Sequence, residues 1–189
     1  MAARNSKQPP PPCSFPAGEG MRQSMGLLTH IDQNGQARMV DVGEKLATVR
    51  FARARAIVQV GPRLVQQLRK TGALAKGNVL ETARLAGIMA AKQTSLLIPL
   101  CHSLPLDLVE VQAKLRGGNV IIETLAKTRA STGVEMEALT AATIAALTVY
   151  DMCKAAKRDI AIGPVYLLEK SGGRSGHWRK EEAHRGRRT

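Results

Sequence analysis

Aromatic side chains are scarce: Phe15, Phe51, Tyr150, Tyr166 and Trp178 are the only ones in 189 residues. Single-strand nucleic-acid binders stack bases on such rings, and these five show no interleaved pattern, which argues against that class. Cysteine is equally sparse. Cys13, Cys101 and Cys153 are odd in number and form no Cys-x-x-Cys pair, so neither a disulfide framework nor a zinc site is expected. No apolar run approaches the ~20 residues that span a bilayer, and no signal-peptide pattern precedes the fold. The expected location is cytoplasmic, although the small and basic residues at the start also resemble, more weakly, a targeting peptide.

Positive charge is abundant. Of the net +13, residues 1–26 carry +2, residues 171–189 carry +4 and the remaining body about +7. A basic body suits an anionic ligand, whether a nucleic acid, a nucleotide or a phosphorylated metabolite. The length fits one domain with a sizeable core. The expected organisation is a disordered tail over residues 1–26 with the Pro9–Pro12 run, one catalytic domain over 27–176, and a basic disordered tail over 177–189.

Order is expected from Leu27. Asn34-Gly35 marks a tight turn in a lead-in arm or small hairpin. Val49 to Val60 alternates small apolar residues with Arg53, Arg55, Ile57 and Gln59, a strand with one buried face. A short helix after Gly61-Pro62 is expected to end at Gly72 in a left-handed cap. A second begins at Asn78, with Glu81 three residues on. Asp107–Arg116 and Val120–Lys127 alternate around Gly117-Gly118-Asn119 as an antiparallel hairpin, and Asp159–Lys170 fits a last strand with Gly163-Pro164 as a kink or bulge. The order predicts an α+β fold of the ferredoxin-like type, an antiparallel sheet with helices packed on one face.

The chemistry concentrates on one helix. Thr132 followed by Glu135 reads as a capping box, and with no proline or glycine from Val134 to Lys157 about six turns are expected. Glu135 and Glu137 crowd its first turn, where the helix dipole alone is reason enough for carboxylates. Asp151 and Lys154 share a face at its far end, as a surface ion pair or as an acid and base held together. Glu137 and Asp151 lie ~21 Å apart along the axis, so one substrate reaches both only if the site is split or completed by a second subunit. Lys76 precedes a helix start, where an anion shared with the helix N–H groups would relieve its charge; a solvated lysine is the plainer reading. His102 sits at a bend in Leu97–Pro105, where a packed histidine is more common than a catalyst. Lys170-Ser-Gly-Gly-Arg-Ser-Gly176 is a flexible basic loop able to close over phosphates, or the start of a disordered tail.

Seven segments resemble, in order, the MoaC family, the cyclic pyranopterin monophosphate synthases of molybdenum cofactor (molybdopterin) biosynthesis. They are Leu28–Asp32, Met39–Val42, Ala83–Gly87, Ile98–His102, Thr132–Thr140, Tyr150–Lys154 and Lys170–Gly176, distributed from one end to the other of residues 28–176. The resemblance implies a lyase that converts 3',8-cyclo-7,8-dihydroguanosine 5'-triphosphate to cyclic pyranopterin monophosphate and pyrophosphate. It implies a homohexamer, a trimer of dimers with sites at subunit interfaces. By position, Asp151, Lys76 and Lys154 match catalytic residues, while Leu100, Cys101, His102, Glu135, Met136, Glu137, Lys170 and Arg174 match substrate-binding positions. Ser103 stands where many members have proline and Arg174 where lysine is common; the guanidinium would alter how the loop grips phosphate. No cofactor and no metal site are implied, though Mg²⁺ can accompany the triphosphate. Two rivals are a nucleic-acid-binding module using Arg185–Arg188, disfavoured by the scarce aromatics, and a cyclase or hydrolase acting on GTP directly.

Overall fold

Strand β1 (Thr48–Gln59) follows from its alternation: Ala52, Ala54, Ala56 and Val58 have no solvent exposure, while the residues between them are half-buried. Such small side chains let helices lie close on that face. The computed structural model describes residues 30–31 and 34–181, so the expected N-terminal tail, Cys13, Leu28, Thr29, Asp32 and the Arg185–Arg188 run lie outside the described residues. The chain divides into two units, Met1–Arg38 and Met39–Thr189. In the first, Ile31 and Ala37 form an antiparallel bridge and the Arg38 N–H donates to the His30 carbonyl at 2.9 Å. Gly35 supplies the positive φ, 78°, that the turn needs.

The second unit continues through α1 (Pro62–Thr71), β2 (Ala73–Leu74), β3 (Gly77–Asn78), α2 (Val79–Lys92) and α3 (Thr94–Leu97). Then come β4 (Leu108–Arg116), β5 (Asn119–Ala130), α4 (Glu135–Cys153), β6 (Ala161–Ser171) and β7 (His177–Arg179). Gly72 closes α1 in the left-handed conformation, and the Asn78 side chain caps α2 by accepting from the Glu81 N–H at 3.1 Å.

The main sheet has the order β4-β5-β1-β6-β7, with every neighbouring pair antiparallel. Strands β1 and β4 are therefore parallel with β5 between them, and β5 and β6 are parallel with β1 between them. This is the split β-α-β arrangement of a ferredoxin-like fold. The apolar faces of α1, α2 and α4 join the buried side of the sheet in one core. Helices α2 and α4 approach closely at Gly87, where an added Cβ would lie 3.0 Å from the Ala141 carbonyl oxygen. On the other face, Arg53 and Arg55 make ion pairs with Glu123 and Glu169.

Three local expectations are corrected. Helix α4 starts at Glu135 behind Val134, with no side-chain cap, so the Thr132 capping box does not form; the Glu135 carboxylate accepts from Lys170 Nζ at 2.9 Å instead. The helix spans 19 residues and ends at Cys153 rather than Lys157. Finally, His177–Arg179, assigned by sequence to the tail, pairs with Glu169–Ser171 as β7, where His177 Nε2 lies 2.8 Å from Glu169 Oε1. The Gly163-Pro164 bulge is present: Ala56 pairs with Val165 and Val58 with Ile162, leaving both residues opposite Ile57.

Candidate active site

The residues singled out from sequence gather at the two ends of α4. At its C-terminal end, Asp151 divides its carboxylate between two lysines, Oδ1 lying 2.6 Å from Lys154 Nζ and Oδ2 3.0 Å from Lys76 Nζ. Lys154 arrives by helical spacing. Lys76 arrives from the tight turn between β2 and β3, and its ammonium also donates to the Asp151 main-chain carbonyl at 3.0 Å. It therefore satisfies a carbonyl in the last turn of α4, where the helix dipole favours a cation, rather than standing free before α2. Hydrogen bonds from Lys154 and Lys76 hold the Asp151 carboxyl below the usual aspartate range, and the same pairing pushes the Lys154 ammonium up. All three side chains are about half exposed.

The N-terminal end is different in character. Glu137 is 4% exposed, and burial, aided by the charge of Glu135, raises its carboxyl above the usual glutamate range. Cys101 is near enough for the Glu137 charge to add to burial in pushing its thiol up. His102 is fixed by a 2.8 Å contact between its Nε2 and the Val40 carbonyl oxygen, which requires that nitrogen to carry the proton. Leu100 is half-buried in the same segment, whereas Met136 points outward at 37% exposure. Lys170 lies on β6 opposite Ala52, on the helix side of the sheet, which is how it reaches Glu135.

Beside this cluster opens a cleft of about 940 Å³, and Arg174 is on its wall with Gly173 and Ser175. Sequence reasoning missed its other polar walls, notably Lys45, Thr48, Arg50 and Ser131. Arg50 Nε donates to the Ala130 carbonyl at 2.9 Å and Nη2 to that of Ser131 at 3.2 Å. Its guanidinium also backs the Gly172-Gly173 turn, since a Cβ at Gly173 would fall 2.3 Å from Arg50 Nη1. The signal that could have found Arg50 is parity. It shares the face of Ala52, Ala54 and Ala56, where a charge needs a reason. Thr48 Oγ1 is buried with no hydrogen-bond partner, an orphan polar atom at the cleft.

The two ends remain separate within one chain: Asp151 and Glu137 are both on α4, fourteen residues or ~21 Å apart along it. Among the described residues there is no cluster of three or more metal-ligating side chains, and no helix is long and apolar enough to cross a membrane.

A ferredoxin-like α+β fold, with ionisable groups at both ends of its long helix and a charged cleft beside one of them, defines the class. The sequence pattern of the MoaC family matches residues 39–173, and the chain belongs to that family. It is 55% identical over 160 residues to the cyclic pyranopterin monophosphate synthase of Thermomicrobium roseum, covering 84% of this chain and 96% of the relative. Proteins of the same name from Bordetella avium and Magnetococcus marinus are 52% and 53% identical over 163 residues, covering 85% of this chain and 100% and 99% of theirs.

Proposed function

We propose that the protein is a cyclic pyranopterin monophosphate synthase, a lyase of molybdenum cofactor biosynthesis acting in the cytoplasm. Its substrate is 3',8-cyclo-7,8-dihydroguanosine 5'-triphosphate. Its products are cyclic pyranopterin monophosphate and pyrophosphate. The observation that carries the reading is the Lys76–Asp151–Lys154 arrangement at the positions where the family resemblance calls for catalytic groups.

The closing step joins a sugar hydroxyl to the α-phosphorus. A new oxygen–phosphorus bond forms, the bridge between the α- and β-phosphates breaks, and pyrophosphate departs with the electron pair while the hydroxyl proton goes to a base. Asp151, kept anionic by its two lysines, is the proton acceptor of that end. Protons needed during ring rearrangement return through the flanking ammonium groups. The charge that builds on the leaving group is met by fixed cations: Lys45, Arg50 and Arg174 around the cleft, with Lys170 beside it and the partnerless Thr48 hydroxyl as a further donor. His102, Cys101, Leu100, Met136 and Glu137 orient the purine-derived ring, and Glu135 sets the position of Lys170. No resident cofactor is needed. Asp41 and Glu44 also line the cleft, and two carboxylates suit Mg²⁺ carried in on phosphates rather than a dedicated protein cage.

One substrate cannot bridge the ~21 Å between the two ends of α4. The reading therefore includes a second subunit, with the Asp151 end of one meeting the Glu137 end of another, and the family resemblance makes that assembly a homohexamer, a trimer of dimers. The test is turnover of the cyclic triphosphate with both products followed together. Equal release of cyclic pyranopterin monophosphate and pyrophosphate by the wild type, and neither by Lys76→Ala, supports the reading. Pyrophosphate release from GTP alone would transfer it to a GTP cyclase or hydrolase.

A further inference from the structure

The segment that brings Arg174 to the cleft wall is the turn of a hairpin between β6 and β7. Ser171 pairs with His177, and the residues between them close on themselves: the Gly172 N–H donates to the Gly176 carbonyl at 3.1 Å and the Gly176 N–H to that of Gly173 at 3.3 Å. Gly172, Gly173 and Gly176 all have positive φ. Three glycines give the turn much backbone freedom, which must be restrained if Arg174 is to stay in one place. On one side the restraint is β1, since a Cβ at Gly172 would lie 2.5 Å from the Val49 carbonyl oxygen and one at Gly173 2.3 Å from Arg50 Nη1.

On the other side stands β7, only three residues long, a weak hold through its ladder alone. Its first side chain supplies more. His177 Nε2 lies 2.8 Å from Glu169 Oε1, and because an ionised carboxylate only accepts, that nitrogen carries the proton. The imidazole is also 6.5 Å from the Phe51 ring and tilted to it by 48°, within the range of aromatic pairing. Glu169 is the more sheltered partner, its side chain 18% exposed against 54% for His177. The hydrogen bond from His177 chiefly holds the Glu169 carboxyl below the usual glutamate range, with the charges of Arg179 and Arg53 adding to it. Past the far end of β7, the Lys180 N–H donates to the Leu168 carbonyl at 2.8 Å, and its ammonium lies 5.4 Å from the centre of the Tyr166 ring. The hairpin is fastened at both ends, and the fastening next to the glycine turn is His177.

We propose that His177 is a positioning residue: its hydrogen bond to Glu169 and its ring contact with Phe51 latch the hairpin and so hold Arg174 at the wall of the cleft for binding a polyphosphate anion. The proposal rests on the reading of that cleft as the triphosphate site. His177 and Glu169 lie with Phe51 and Arg53 on the sheet face opposite the helices, whereas Asp151 is on α4, so the latch acts on affinity and not on the chemical step. Removing it does not strip Glu169 of cationic partners, because Arg53 Nη1 is 3.6 Å away, and the fold is expected to survive.

In the full chain, His177→Phe keeps a ring against Phe51 and removes the Nε2–H donor. The KM for the cyclic triphosphate and the Kd of inorganic pyrophosphate, read by titration calorimetry, are each expected to rise about three- to tenfold, the weight of one hydrogen bond to a charged group, with kcat unchanged. His177→Gln, whose amide can donate to Glu169, is expected to bring both constants back toward wild type. Because the latch acts through Arg174, His177→Phe added to Arg174→Ala should weaken pyrophosphate no further than Arg174→Ala alone. A merely structural His177 would instead give additive losses, with kcat and the urea midpoint falling together and no rescue by glutamine. Pyrophosphate binding weakened by His177→Phe in a chain that leaves the cyclic triphosphate unconverted would retain the latch and remove the synthase reading. Normal turnover with KM and Kd unchanged in His177→Phe, no pyrophosphate binding by wild type, or additive losses would each overturn the proposal.

Discussion

Lys76 places its ammonium 3.0 Å from both the Oδ2 and the main-chain oxygen of Asp151, a residue 75 positions away. The lysine thus fixes the carboxylate and the end of α4 that carries it. Asp151→Asn keeps the shape and removes the charge, and is expected to lower kcat by ~10²–10⁴, the usual range for a positioned proton-transfer group. Steady-state kinetics with the cyclic triphosphate checks this; unchanged turnover would remove Asp151 from the mechanism.

The pH dependence of that carboxylate has a definite sign. Lys154 and Lys76 depress its folded-state value, so its contribution is present above the ordinary aspartate range and is lost as pH falls through the depressed value. The group is exposed, and the effect on stability is small. Its effect on activity is expected to be larger: the acid limb of kcat should lie below the ordinary aspartate range in wild type and move upward in Lys154→Met. A pH–rate profile of both proteins decides it.

Glu137 behaves in the opposite way. Burial raises its carboxyl in the folded state, so the folded protein holds this proton more tightly than the unfolded chain, and stability falls as pH rises from the unfolded value through the folded one. Glu137→Gln is therefore expected to raise Tm at pH 7 relative to wild type, with the gain shrinking toward pH 4, while lowering turnover. A gain that is the same at both pH values would place its origin elsewhere.

Gly173 has φ +69°, and a Cβ there would lie 2.3 Å from Arg50 Nη1. Gly173→Ala is expected to cost about 1–2 kcal/mol from the left-handed backbone alone and to push the guanidinium away from the Ala130 and Ser131 carbonyls. The KM for the triphosphate should rise with it, because Arg50 and Arg174 share the cleft wall. Urea unfolding and the KM of Gly173→Ala, set beside Arg50→Lys, measure the two effects.

Gly87 controls the helix layer. A Cβ added there would lie 3.0 Å from the Ala141 carbonyl oxygen and 3.1 Å from a Val111 methyl, so Gly87→Val is expected to destabilise by ~1–3 kcal/mol through overpacking, read as a lower urea midpoint.

Much of this architecture was legible in the sequence because it rests on local periodicity. The alternation over Val49–Val60, the Asn78 cap, the left-handed Gly72 and the Gly163-Pro164 bulge each follow from neighbours a few residues away. What local rules missed depended on long-range partners. The Thr132 capping box has the right spacing, but Lys170, 35 residues on, takes the Glu135 carboxylate. Strand β7 is too short to show a period and exists through its ladder to β6. Of the candidate site, α4 could be read as a helix with ionisable groups at both ends. The reach of Lys76 to Asp151 and the role of Arg50 in lining the cleft required the fold.

The central claim is that one active site is assembled from the Asp151 end of one subunit and the Glu137 end of another. Co-expression of Asp151→Asn and Glu137→Gln chains carrying different tags, followed by isolation of mixed oligomers, tests it most directly. Each variant alone should be nearly inactive, while randomly mixed oligomers should recover about a quarter of wild-type turnover, because only the sites pairing the intact end of each variant are complete in a symmetric assembly. Mixed oligomers no more active than either parent would contradict the claim.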